Sequence, residues 1–201
     1  MQKILFTLLA ASAVAQAATV RVDFGGTAST DTTWNQLDLG DSGKALKDTT
    51  GANSSIIVSY SIAGNNFSGG GWTQGSSAVT DETVYADWIG GNSNNANNNL
   101  VTITISGLNS LATYDLAFGG ANAANNNFTM TTSLNGTPLG TSSTDRYYTA
   151  NGVSGASNIV ITINDNVRNS GIASLEITQV PEPSAAMLGA IGMLCLLRRR
   201  R

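Results

Sequence analysis

Apolar and polar residues alternate with a period of two along much of this chain. The runs are Val20, Val22 and Phe24; Ile56, Val58, Tyr60 and Ile62; Val101, Ile103 and Ile105; Tyr114, Leu116 and Phe118; Phe128 and Met130; Ile159, Ile161 and Ile163; and Ala173, Leu175 and Ile177. Successive side chains of a strand point to opposite faces, so each run reads as a half-buried strand with one face on a core. Gly and Asn clusters bound the runs, and no stretch carries a helical period. Asn135-Gly136, between Leu134 and Leu139, suits a type I′ hairpin turn, because both central positions take positive φ. About eight short strands with polar connections predict an all-β fold, a two-sheet sandwich or jelly roll.

Both ends of the chain break this pattern. Residues 1–17 hold one positive charge at Lys3, an apolar run from Ile4 to Ala15, and the small residues Ala15 and Ala17 at the minus-three and minus-one positions. That is the layout of a secretory signal peptide cut after Ala17, which makes the Sec export machinery a partner. At the other end, Val180-Pro181-Glu182-Pro183-Ser184 precedes an uncharged run from Ala185 to Leu197 and then Arg198, Arg199, Arg200 and Arg201. As a helix that run reaches only ~20 Å against a ~30 Å hydrocarbon core, so it spans with help from its flanks. The arginines supply that help and hold the C-terminus on the cytoplasmic side, leaving the preceding domain outside.

This order of features closely resembles the PEP-CTERM sorting signal of bacterial exported proteins. The resemblance implies that an exosortase, a membrane transpeptidase, recognises Pro181, Glu182 and Pro183, removes the tail and passes the protein to the cell surface or an extracellular matrix. The competing reading is a permanent tail anchor. The chain therefore divides into a signal peptide at 1–17, a β-sandwich ectodomain at 18–179 and a sorting signal with a single membrane helix at 180–201.

Composition narrows the chemistry. Only 11% of the 201 residues are charged, against ~25% in ordinary soluble domains. The chain has no His, and Cys195 is its one Cys. Ser-His-Asp and Cys-His nucleophiles, His-ligated or Cys-clustered zinc, and an intrachain disulfide are thereby excluded. Residues 18–179 hold five basic and twelve acidic side chains, net −7. With no basic cluster to neutralise phosphates, the domain is not expected to bind nucleic acid.

A second set of short motifs runs along the ectodomain: Val22-Asp23-Phe24-Gly25, Thr33-Trp34-Asn35, Leu46-Lys47-Asp48-Thr49-Thr50-Gly51, Ser106-Gly107-Leu108, Tyr114-Asp115-Leu116 and Ile172-Ala173-Ser174-Leu175-Glu176-Ile177. In this order they resemble galactose-binding-like jelly-roll domains. The resemblance implies a carbohydrate-binding module, often with a structural calcium ion, and carries no particular ligand residue over.

Aromatic rings are the usual platform for a sugar's C–H face. Trp72 lies in the Gly-rich stretch Gly69-Gly70-Gly71-Trp72, and in Tyr147-Tyr148 one ring faces outward whichever way the strand turns. Trp34 and Trp88 read as packing residues. Calcium needs several oxygens, and Asp23, Asp41 and Glu176, with Asp38 and Asp48, supply them if the first and last strands lie side by side; otherwise they are solvated loop acids. Glycoside hydrolysis needs two carboxylates at a fixed separation, and no pair here sits in an active-site motif. Alternating Thr102, Thr104, Thr129, Thr131 and Thr162 suit the solvent face of a sandwich and, more remotely, an ice-binding surface. The expected function is a non-enzymatic surface or matrix protein that adheres to exopolysaccharide. The alternatives are a ligand-free structural coat component and a small carboxylate-dependent hydrolase.

Overall fold

The computed structural model describes residues 17–26, 31–63, 65–70, 87–92, 100–121, 130–142, 147–165 and 170–181. Thirteen strands run through them in chain order: β1 (Thr19–Phe24), β2 (Trp34–Leu37), β3 (Lys44–Lys47), β4 (Asn53–Ile62), β5 (Asn65–Gly70), β6 (Asp87–Asn92), β7 (Leu100–Ser106), β8 (Thr113–Ala121), β9 (Met130–Leu134), β10 (Thr137–Ser142), β11 (Tyr147–Ser154), β12 (Ile159–Asp165) and β13 (Ser170–Val180). They form two sheets. One has the order β11-β8-β13-β1-β2, with the β5–β6 hairpin attached to β13; the other has the order β10-β9-β12-β7-β4-β3.

The alternating runs become the two inner faces. Val20, Val22, Phe24, Leu116, Phe118, Leu175 and Ile177 come from the first sheet, and Val58, Val101, Ile103, Ile105, Ile159, Ile161 and Ile163 from the second; all are buried in one core. The β-branched Val and Ile among them are stiff at χ1, and with the aromatics they suit the pleated surface, so burial and local preference agree. Residues 1–16 and 182–201, which include the leader and the tail helix, lie outside the described residues, and among the described residues no helix is long and apolar enough to cross a membrane.

The strand count exceeds the expected eight or so. β2, β3, β5, β6 and β10 lack apolar alternation in their sequences, yet β2, β3 and β6 each give one residue to the core, Leu37, Leu46 and Ile89. β10 carries Pro138 at a register shift on the outer edge of its sheet, a place that tolerates a missing donor. β2 pairs parallel with β1, Arg21 opposite Trp34 and Phe24 opposite Leu37. The predicted hairpin turn is present: Asn135 has φ 50° and Gly136 φ 79°.

The two ends of the sandwich differ. The connections 48–52, 107–112, 135–136 and 155–158 are short and all lie at one end, with Thr19 and Val180. The strand ends joined by residues 93–99, 122–129, 143–146 and 166–169 lie at the other. The first we call the turn end, the second the loop end. At the turn end the packing is close. A Cβ on Gly107, whose φ is +71°, would collide with the Ser55 carbonyl oxygen, and the buried Tyr114 hydroxyl accepts the Asn109 amide at 2.8 Å.

Three substitutions test this packing. Gly107→Ala is expected to lose more than ~2 kcal/mol in urea unfolding, through backbone strain and the collision. The Thr132 side chain is fully buried, and among the described residues neither its hydroxyl nor that of Tyr148 has a hydrogen-bond partner. Thr132→Val and Tyr148→Phe, which remove an unsatisfied group while nearly keeping the shape, should therefore each be neutral or stabilising by up to ~1 kcal/mol. A clear loss in either would show that the hydroxyl is satisfied.

Candidate functional site

Strand alternation assigns a face to each polar residue of the first sheet. Because Val20, Val22 and Phe24 point inward, Thr19, Arg21 and Asp23 occupy the outer face of β1. Register extends that face across the sheet. One row runs Thr149, Ala117, Glu176, Arg21, Trp34, and the next runs Tyr147, Gly119, Ser174, Asp23, Gln36. At ~4.8 Å between strands each row spans ~19 Å, with the small residues Ala117 and Gly119 on β8 and the long side chains of Glu176 and Arg21 on β13 and β1.

Arg21 organises the β1–β2 side of this face. Its guanidinium lies 5.5 Å from the centroid of the Trp34 ring, and its Nε is 3.4 Å from Glu176 Oε1. Arg21 Nη1 donates to Thr33 Oγ1 at 3.3 Å and lies 4.0 Å from Asp31 Oδ2. Arg21 is 33% and Glu176 23% exposed, so a ligand on this face reaches both. Trp34 is thus a half-buried ring beneath a cation on the outer face, where sequence reading expected packing in the core or at the sandwich end. Trp88 and Trp72 lie where no side chain is described.

The tyrosine pair divides as alternation requires. Tyr148 turns inward, its ring 5.6 Å from Phe118 and packed on the core, and Tyr147 occupies the outward register position opposite Gly119. Tyr148 is therefore packed on the core, and Tyr147 precedes it at the start of β11.

The calcium candidates do not converge. The first and last strands do pair, but Asp23 stands opposite Ser174 and is completely buried, and Glu176 stands opposite Arg21 and is ion-paired. Asp41 sits in the turn between β2 and β3, where it accepts the Asp38 amide and Lys44 Nζ, each at 3.3 Å. Tyr60 ties down the same turn, accepting the Gly40 amide and donating to the Asp38 carbonyl. Asp48 lies at the turn end, where it accepts the Thr50 hydroxyl at 2.6 Å and the Thr50 and Ala52 amides. Among the described residues no three acids are grouped to hold a metal ion, so Asp23, Asp41 and Glu176 do not form one calcium site. Thr102 and Thr162 face each other across β7 and β12, and Thr162 shares a hydrogen bond with Ser133.

The sorting residues mark the exit of the domain. β13 continues to Val180, Pro181 is exposed beyond it, and Glu182, Pro183, Arg198, Arg199, Arg200, Arg201 and Ala15 lie outside the described residues. Ala17 is half-buried just before β1, and the Gln179 amide donates to the Ala18 carbonyl at 2.9 Å.

Comparison with known families finds the PEP-CTERM protein-sorting motif at residues 179–201. That motif implies an exported protein, anchored in the membrane before exosortase processing. No curated protein and no solved structure matches the chain. The galactose-binding-like resemblance of residues 18–179 therefore has neither a relative nor a solved structure behind it.

The loop carboxylates supply a pH test. The Asp38 amide first, and then Lys44, hold Asp41 below the usual carboxylate range; the Thr50 hydroxyl, backed by backbone amides, does the same for Asp48. A group whose pKa is depressed by folding contributes stability above its unfolded value of about 4, and loses it as pH falls through the folded value. The melting temperature should accordingly fall below about pH 4, and Asp48→Asn should flatten that fall while lowering stability at pH 7. An unchanged acid limb in this variant would remove Asp48 from the account.

Proposed function

We propose that the chain is a non-enzymatic surface protein, delivered by exosortase to the cell surface or extracellular matrix, whose sandwich adheres to polysaccharide. The sorting motif at residues 179–201 carries the delivery half of this reading. The layout of two sheets, with the first and last strands paired in one of them, supports a jelly roll of the kind that binds glycans.

The adhesive half rests on the outer face of the first sheet. Trp34 offers a ring at one edge, Tyr147 takes an outward position at the other, and Arg21 and Glu176 lie between them with hydrogen-bonding capacity turned to solvent. Aromatic residues with charged groups between them suit a sugar chain, whose ring faces pack on aromatics while its hydroxyls meet polar groups. The non-enzymatic assignment is supported by how the nearby carboxylates are placed, Asp23 out of solvent's reach and Glu176 neutralised by Arg21. A general acid and base must both reach substrate.

Two experiments test the halves separately. Replacing Pro181, Glu182 and Pro183 with Ala should leave the protein in the inner membrane at full tail mass; unchanged surface delivery would overturn the sorting assignment. Retention on the host's exopolysaccharide should weaken about tenfold in Trp34→Ala, and similarly in Tyr147→Ala and Trp72→Ala, at unchanged circular dichroism. Absence of binding by the folded wild type would leave a ligand-free structural component. Release of reducing ends from any glycan would make the protein a hydrolase.

A further inference from the structure

We propose that in the uncleaved precursor the turn end of the sandwich lies on the membrane surface, with Leu111 seated in the lipid headgroup layer. This rests on the sorting reading of residues 179–201. It adds which part of the folded domain the membrane meets.

The first observation is the lack of a spacer. The sorting motif begins within β13, whose last residue, Val180, is hydrogen-bonded in register with Thr113 of β8. Only Pro181, Glu182, Pro183 and Ser184 separate that strand from the apolar run that starts at Ala185. Four extended residues reach at most ~14 Å, and the headgroup region of one leaflet is itself ~5–7 Å thick. The domain can therefore stand off from the headgroups by no more than about 10 Å. The leader read from the sequence leaves from the same place, because Ala18 and Thr19 pair with Gln179 and Thr178. Both segments that enter the membrane therefore depart from one end of the sandwich.

The second observation is the charge at that end. Although residues 18–179 carry net −7, the turns 48–52, 107–112, 135–136 and 155–158 contain one charged residue, Asp48, and the exposed Lys47 that ends β3 beside it is a cation. The Asp48 carboxylate faces its own turn, accepting from Thr50 and Ala52. An acidic domain held against anionic lipid is repelled, and keeping charge off the facing end removes most of that cost. The remaining side chains there, mostly Thr, Ser, Asn, Gly and Ala, are neutral and in part able to hydrogen-bond headgroups.

The third is Leu111. It is 81% exposed, about twice the next large apolar residue among the described residues, Ile57 at 40%. A pinned turn holds it outward. Asn109 Oδ1 accepts the Leu111 amide, the Asn109 amide donates to the buried Tyr114 hydroxyl, and the Ala112 carbonyl accepts the Gly155 amide. Ile57 itself stands opposite Ser106, the last residue of β7, toward the same end. A rigid neutral surface that presents one leucine, tethered within a few residues of the hydrocarbon, fits a lipid surface as its partner.

The test uses the full chain in a Cys195→Ser background, reconstituted into vesicles of phosphatidylethanolamine and phosphatidylglycerol. A single cysteine at Leu111→Cys, or at Leu39→Cys in the opposite half of the sandwich, carries an environment-sensitive fluorophore. The label at 111 is expected to shift to shorter wavelength and to be quenched several-fold more by brominated lipid than the label at 39. Equal quenching at both positions overturns the proposal. A blue shift at 111 without lipid quenching also overturns it, since a protein then covers the leucine. If the protein washes off the vesicles, the membrane reading of the tail fails and this inference fails with it, whereas a retained protein with a solvated 111 label sinks this inference alone.

Discussion

The sandwich depends on β13 having a hydrogen-bonding partner along both edges. β8 pairs with it from Gly171 to Val180, and on its other edge β6 takes Ser170 to Ile172 and β1 takes Ser174 to Asp23 and onward to Thr19. Nearly every backbone group of an eleven-residue strand is thus satisfied inside the sheet, as burial demands. Gly171 through Leu175 are all buried, and Leu175 and Ile177 extend the core against Val22 and Val20. β13 is the last strand in the described chain, so the first strand and much of the core wait on the final residues before the sorting motif. Non-local closure of this kind makes local structure a weak guide to the finished sheet.

That central position also shapes what the domain does with its ends. A strand locked on both sides cannot fray to provide a linker, so the fold and the address abut at Val180 and Pro181. Close turns and a near absence of charge follow at the same end, while the longer connections leave from the far end, as is common where loops carry binding and a scaffold carries them.

The outer face of the first sheet shows how an acidic chain poor in cations uses the few it has. Arg21 serves Glu176, Thr33 and the Trp34 ring together, and the stem of the side chain covers apolar surface while its head stays partly wet. Part-exposed ion pairs of this kind add little stability, so their value is in fixing the geometry of the side chains on this face. Asp23, in the next position of the same strand, is the counterexample: identical in charge chemistry to the loop acids, it is wholly buried.

Alternation alone determined the all-β class, the inward identity of Val22, Ile103, Ile161 and Leu175, and the Asn135-Gly136 turn, because period-two burial and positive φ are local demands written in adjacent residues. The sorting segment was equally legible, since its order of Pro-Glu-Pro, apolar run and arginines is read in one dimension and PEP-CTERM matching finds it there. Only the tertiary structure decided that Trp34 lies under Arg21, that Tyr148 packs on Phe118 against the core, and that no three acids among the described residues are grouped to hold a metal ion. Each of those depends on strand neighbours and register, and β1 meets β2 and β13 through pairings that no local pattern specifies. The parallel β1–β2 edge and the bulge near Ala173 are cases in point, because a single residue of register turns a side chain from one face of a sheet to the other.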